Sequence, residues 1–310
     1  MKIDATDRLA EELIDVLAVT PTGDDEFVGS GVSSDLTIGT GRLFGGLLAA
    51  QALASAQACT PADRPAVSFH CRFLRPGAES SPVHYRVSRD MDGRTLTHRR
   101  IVAYQGGRPI LTASAAFQSV DTGPHHQPVM PETDSPEAIW ETLAAQLRSG
   151  NALPHGLRNY VNSTLPVQAA VVDPAILDCT EPRVDKFLVW IRFPAPLGRA
   201  PITQQAILTY LSDMVPFRPV DRRHGLCPIR GEVVEASLDH AIWFHDDVRT
   251  DEWMLFSAES DWSGRGRGLG QANVFSRDGR LLATIAQEGV FRLPAERAIN
   301  TAGQPLEMQT

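Results

Sequence analysis

The sequence predicts an α+β fold made of two similar halves, and two observations carry this. A helical segment followed by four strand-like runs occurs twice along the chain. Two blocks of the first half can also be laid over the second. VSFHCRFLR (67–75) matches SLDHAIWFH (237–245), with His70 on His240 at an offset of 170, and GRPILTASAAF (107–117) matches GRLLATIAQEG (279–289) at an offset of 172. Runs of antiparallel strands with segregated helices are the α+β pattern.

Asp7 to Leu17 has apolar residues at helical spacing and predicts an amphipathic helix. Thr20 to Gly46, rich in Gly, Ser, Thr and Asp, predicts one strand with turns. Gly45 to Ala58 (GGLLAAQALASAQA) carries no charge and predicts a buried helix. Strands follow at Ala66–Arg75, Val83–Arg89, Thr95–Gln105 and, after the Gly106-Gly107 turn, Pro109–Gln118. The composition shifts between Val120 and Arg183. DTGPHHQPVMPETDSPE has the look of a surface linker, with a helix at Ser135–Arg148 opened by Ser135-Pro136. The second half predicts a strand at Phe187–Phe193 and a helix at Gln204–Val215. Its further strands are Glu232–His245, Glu252–Ser260, Gly268–Arg277 and Leu281–Arg292, and a polar tail follows Arg297.

The chain has 310 residues, 43% hydrophobic, which is enough to bury a large core. Its net charge of −8 argues against a general nucleic-acid binder, which would show a basic stripe. The most apolar stretch, Leu43–Ala58, is short and interrupted by Gln51, Ser55 and Gln57, so no membrane span is expected. The N-terminus is acidic and helix-like rather than leader-like. Cys59, Cys71, Cys179 and Cys227 are widely spaced, as expected of reduced thiols in a cytoplasmic protein.

Three polar residues stand out against apolar surroundings. Alternation along the last strand puts Leu281, Ala283, Ile285, Gln287, Gly289 and Phe291 on one face, apolar but for Gln287. The matching first-half face, Pro109, Leu111, Ala113, Ala115 and Phe117, has no polar residue. A buried Gln needs partners, from the backbone, a sheet edge or a functional site. Asp213 lies near the end of an otherwise apolar or neutral helical run, AILTYLSDMV, where the macrodipole disfavours it. It either starts the turn before Pro216 or serves a site. Ser237 shares a face with Asp239, Ala241 and Trp243, and the first half has Val67 in its place.

Other constellations carry less. His240 and His245 are five residues apart on a strand and face opposite sides, so no metal site is expected. His125-His126 sits in the Pro-rich linker. GRGRGLG (264–270) precedes a strand and lacks a Gly-Lys-Ser/Thr ending, so it predicts a turn. No G-x-S-x-G elbow and no Cys–His signature supports covalent catalysis.

LFGGLLAAQAL, SFHCRFLRPG, DGRTLTHRRIVAYQGGRPILTASAAFQ, YLSDM, SLDHAIWFH, DEWMLFSAES and DGRLLATIAQEGVFR, in that order, resemble the acyl-CoA thioesterase II family. The resemblance runs from Asp7 to Arg292. It implies a double hotdog, two tandem repeats each with a long helix wrapped by a curved antiparallel sheet. The expected division is a first repeat at 1–119, a linker at 120–183, a second repeat carrying the catalytic residues at 184–297, and a tail at 298–310. It also implies hydrolysis of acyl-CoA by water that an Asp, a Thr or Ser, and a Gln bind and activate. Asp213, Ser237 and Gln287 match those positions. Two departures are Ser237, where Thr is frequent, and Leu47 after the FGG motif, where Gln is common.

On this resemblance Asp213 acts as base or orienter and the acyl chain lies along apolar faces of helix and sheet. No metal or cofactor is needed, because thiolate is a fair leaving group. The expected partners are an acyl-CoA substrate and a second copy of the chain, as a homodimer or higher homo-oligomer. The alternatives are a non-catalytic acyl-CoA binder, or an enoyl-CoA hydratase or dehydratase. The latter wants a His close to its Asp in sequence, and Asp213 has none within ten residues.

Overall fold

Gly45–Ala58 presents buried residues around its whole circumference, and a helix of that kind has to be enclosed on every side. In the computed structural model, which describes residues 3–30, 41–79, 81–149, 165–174, 177, 181–195 and 201–293, it is enclosed. Helix α1 is Ile3–Leu17. The strands β1 (Val19–Gly23) and β2 (Glu26–Gly29) form a hairpin, followed by α2 (Gly45–Ala58). Then come β3 (Ala66–Phe73), β4 (Val83–Asp92), β5 (Leu96–Gln105) and β6 (Arg108–Gln118). Helix α3 (Pro136–Arg148) leads to β7 (Gln168–Val171) and β8 (Phe187–Arg192). The second half continues with α4 (Pro201–Ser212), α5 (Arg218–Arg223), β9 (Val234–Phe244), β10 (Met254–Gly264), β11 (Arg267–Ser276) and β12 (Leu281–Arg292).

All twelve strands join one antiparallel sheet in the order β1-β2-β4-β5-β6-β3-β9-β12-β11-β10-β8-β7. Read outward from the central β3–β9 pair, the two halves repeat each other. α2 packs on β3–β6 on one side and on α4 on the other. Phe69, Leu111, Phe117, Leu53, Leu208 and Ile242 meet there in one continuous core. A smaller cluster lies under α3, where Ile139 and Trp140 meet Trp190, Trp253 and Phe275. As expected, Ser135 caps α3 by accepting from the Ala138 N–H, with Pro136 beginning the helix.

Four elements differ from the sequence reading. The helix expected at Gln204–Val215 begins and ends earlier, so Asp213 sits just beyond its last residue. Helix α5 spans six residues, too short for its periodicity to register. Where one strand is expected in Thr20–Gly46, the described residues hold a two-stranded hairpin that starts at Val19 and turns at Asp24–Asp25, with Asp25 at φ 58°. β7, inside the expected linker, extends the second-half sheet. The expected tail and Cys179 lie outside the described residues.

The register corrects the alignment of the halves. Leu238 is an extra residue between the Ser237–Gly289 and Asp239–Glu288 pairs, and Val67 is one between the Ala66–Phe117 and Ser68–Ala116 pairs. Each is a β-bulge. Phe69 pairs with Ala115 as His240 pairs with Gln287. Across the centre, Phe69 pairs with Ile242 and Cys71 with His240. Phe69 therefore corresponds to His240 and Ala66 to Ser237, an offset of 171 (69 to 240, 66 to 237) instead of 170. The second block keeps 172 (115 to 287). His70 is exposed on the other face, stacked edge-on against Trp243 with ring centroids 4.9 Å apart.

Gly270, opposite Gln287, marks a close approach: a Cβ there would lie 1.8 Å from the Pro216 carbonyl oxygen. Gly270→Ala is expected to push the 213–217 turn off the strand at a cost of about 1–3 kcal/mol, lowering Tm by several degrees in thermal unfolding. An unchanged Tm would show that the turn yields freely.

Candidate active site

A buried primary amide must place two N–H donors and one carbonyl acceptor. Gln287, 2% exposed on the inner face of β12, places both donors on the other two outliers. Its Nε2 donates to Asp213 Oδ1 at 2.6 Å and to Ser237 Oγ at 2.7 Å. The three sequence-singled residues thus meet around one nitrogen, although they come from the end of α4, from β9 and from β12.

Ser237 reaches this point because of the bulge. Simple alternation would put it with Asp239, Ala241 and Trp243. Leu238 shifts the phase, so Ser237 shares the inner face with His240, Ile242 and Phe244. The latter three are 1%, 0% and 7% exposed, whereas Trp243 is 37% exposed. The face assigned to Ser237 from sequence is therefore corrected, while its place beside Gln287 stands.

Asp213 is accommodated by a different helix from its own. The C-terminal end of α4 disfavours its charge, but its carboxyl lies against the N-terminus of α2 and accepts from the Gly46 N–H. Gly45 and Gly46 permit this contact. A Cβ at 45 would lie 2.7 Å from Asp213 Oδ2, and one at 46 would lie 2.4 Å from the Tyr210 carbonyl oxygen. Desolvation pushes the carboxyl up to about 7; the Gln287 hydrogen bond, the Gly46 N–H and the Arg218 charge act against it. Leu47, the departure after FGG, is 2% exposed and packs in the core.

The three polar groups line a cavity of about 460 Å³ with Leu43, Phe44, Leu48, Phe73 and Phe217. Arg42, Arg75 and Arg218 also line it. Arg218 bonds to Glu235 at 3.0 Å and Asp221 at 3.2 Å. Burial pushes the Asp221 carboxyl well up. Such a pocket, apolar with a few convergent polar groups and a base near neutrality, suits proton transfer beside an apolar chain.

Sequence reasoning missed two features. One is the Gly45-Gly46 cradle, signalled only by adjacent glycines opening a helix. The other is His240, weighed as a metal ligand with His245. His240 is buried and His245 exposed, as their opposite faces require, and His240 Nε2 lies 2.7 Å from Ser212 Oγ. The GRGRGLG stretch is a hairpin turn, with Arg265 and Gly266 at positive φ and Arg267 paired to Glu288 at 2.8 Å.

The first half carries apolar residues or a thiol at every corresponding position. Ala58 and Cys59 end α2 as Ser212 and Asp213 end and follow α4. Ala66, Phe69 and Ala115 replace Ser237, His240 and Gln287. Where the second half has Gly270, the first has Arg99, which is 1% exposed. Its guanidinium fills the space and donates to the Cys59 carbonyl at 2.8 and 3.1 Å. Burial pushes the Cys59 thiol up to about 12, far from a reactive thiolate.

Residues 32–118 match the family described as the acyl-CoA thioesterase N-terminal domain, and residues 130–291 the acyl-CoA thioesterase C-terminal domain. The chain is 33% identical over 267 residues to acyl-coenzyme A thioesterase 8 of Homo sapiens, covering 81% of each chain. It is similar to the crystal structure of an acyl-CoA thioesterase II from Mycobacterium marinum, with TM-score 0.72 and 28% identity over 92% of this chain and 98% of the other. A hot dog fold protein of unknown function from Alicyclobacillus acidocaldarius shares the fold at TM-score 0.71 and 21% identity, covering 91% and 98% of the two chains. The expected double hotdog is therefore the fold of this chain.

A raised carboxyl pKa makes a signed prediction. The folded state holds a proton on Asp213 up to about pH 7, whereas an unfolded Asp releases it near the ordinary carboxylate value of 3.8. Stability from this group is thus lost as pH rises between those values. Asp213→Asn removes the loss, so its Tm relative to wild type should climb from pH 4.5 to pH 8 and level off above. A difference constant with pH would mean that Asp213 ionises in the fold as it does in water.

Proposed function

We propose that this chain, which belongs to the acyl-CoA thioesterase family and is an acyl-CoA thioester hydrolase, cleaves its substrate with water held by Asp213, Ser237 and Gln287. The observation that carries this reading is the Gln287 amide bonded to both other groups at the wall of an apolar cavity. In the reading, Asp213 takes the proton of the attacking water, and a carboxyl titrating near 7 is matched to that task. Ser237 Oγ, already accepting from Gln287, keeps its own proton for the water or for Asp213. Gln287 holds both in one geometry, so that the attacking oxygen meets the carbonyl in a fixed orientation.

Attack makes a tetrahedral oxyanion, and collapse expels the CoA thiolate. The start of α2, whose Gly46 N–H already serves the Asp213 carboxyl, presents the positive end of the helix dipole to that oxyanion. The acyl chain runs along Leu43, Leu48 and Phe73, where its burial is favourable by about 0.8 kcal/mol per CH₂. Arg42 and Arg75, also on the cavity wall, are assigned to the CoA phosphates. The second repeat, 184–297, supplies all three polar groups, and the first, 1–119, supplies the glycines and part of the acyl channel.

Thiol release from acyl-CoA esters of increasing chain length is the test. Wild type should turn over, and Asp213→Asn should lose about 10²–10⁴-fold in kcat with its fold intact. Undiminished turnover in the variant would remove Asp213 from the chemistry. A wild type that hydrolyses no ester, yet gains Tm with acyl-CoA, would make the protein a binder.

A further inference from the structure

Among the described residues, the buried Gln287 carbonyl oxygen has no hydrogen-bond partner, and neither has His240 Nδ1. These residues stand directly opposite each other on β12 and β9. The other imidazole nitrogen, Nε2, is taken by Ser212 Oγ at 2.7 Å. Two such atoms on paired residues are complementary in one arrangement, with the proton on Nδ1 and Gln287 Oε1 as its acceptor.

We propose that His240 is a positioning residue that fixes the Gln287 amide with its carbonyl toward the imidazole and its NH₂ toward Asp213 and Ser237. The proposal rests on the reading of those three residues as the hydrolytic site. An amide turned over would point its oxygen at the Asp213 carboxylate, and nothing in the Asp–Ser pair alone prevents this. Ser212 Oγ lies 2.8 Å from the Thr209 carbonyl as well as 2.7 Å from Nε2, and its one proton is assigned to Nε2; the chain Ser212, His240, Gln287, Asp213 and Ser237 then has one polarity from end to end. Buried networks of this kind hold a geometry when every member is satisfied.

Two further observations agree. Burial keeps His240 neutral, at about 4, so the imidazole retains a single proton to place; the Gln287 contact acts the other way, as an acceptor would. The first repeat has Phe69 at the His240 position and Ala58 at the Ser212 position, alongside Ala115 for Gln287. Imidazole, hydroxyl and amide are present together in one half and absent together in the other.

The test compares His240→Phe, the first repeat's own residue, with His240→Asn, whose amide NH₂ occupies the Nδ1 position. His240→Phe should lose about tenfold or more in kcat with little change in KM, the scale of one buried group left unsatisfied. Its acid limb should move to higher pH, since a turned amide no longer supports the Asp213 carboxylate. Arg218 on α5, Tyr210 on α4 and Cys71 on β3, which also face that carboxyl, are unaltered. His240→Asn should restore most of the activity and the wild-type pH profile. In a Gln287→Ala background His240→Phe should cost nothing more, which a merely structural role would not produce. If Phe does not fold there, His240→Leu takes its place.

Wild-type kcat and pH profile in folded His240→Phe, with Gln287→Ala slowed to a measurable residual rate, would overturn the proposal and leave the hydrolytic site standing. Losses that multiply in the double variant would also overturn it. Full activity in both Asp213→Asn and Gln287→Ala would overturn the hydrolytic site and the proposal with it.

Discussion

The approach of α2 to the end of α4 is the contact on which the rest depends. Two glycines without side chains let the helix N-terminus come against Tyr210 and Asp213. That single contact joins the two halves across their central axis and brings the glycine end of one repeat to the acid of the other. It also offsets part of the cost of burying a carboxylate, because the orphan N–H groups of a helix start are the backbone's own positive pole. With any side chain at 46, the helices would separate and the cavity would lose its wall.

Much of this was legible in the sequence because it is written in periodicity. The uncharged α2 could only be a buried helix. The alternation along β12 isolated Gln287, whose inner-face neighbours Ala283 and Ile285 are fully buried. Asp213 was conspicuous because an apolar helix rarely ends on an uncapped charge. What was not legible has physical reasons. A bulge inserts a residue without a sequence signature, so Ser237 was placed on the wrong face and the repeats were aligned one residue out of step in β9. The α2 N-terminus is far from Asp213 in sequence, so the source of its compensation was invisible. Opposite faces exclude a His240–His245 metal site from the sequence, but Gln287 as the neighbour of His240 across the ladder depends on a register that the sequence does not show.

The two repeats show what a site costs and where the cost falls. The second half buries Gln287, His240 and Ser212 and half-buries Asp213 and Ser237, none of which adds to a hydrophobic core. The first half keeps the same strands and the same bulge, yet fills the equivalent positions with Ala, Phe and Cys and plugs the gap with Arg99. Its strands can therefore be packed for stability, while the start of its helix α2 still lends Gly45 and Gly46 to Asp213. One repeat serves as scaffold for the other, and the continuous β3–β9 pairing transmits that rigidity across the sheet.

The bulge at Leu238 has a consequence for how such a chain can vary. Ser237 and His240 lie three residues apart, a spacing that regular pleating sends to opposite faces, and the bulge returns both to the cavity. Asp239 Oδ1 accepts from the Glu288 N–H beside the bulge, so the identity of an intervening residue counts as well as their number. Straightening the bulge at unchanged length would turn Ser237 out of the cavity, whereas deleting Leu238 would leave Ser237 and His240 two apart, on one face of a regular strand. The same facing can thus be reached with three steps and a bulge or with two steps and none, and the first half, with Val67 set between its own two pairs, takes the longer form as well.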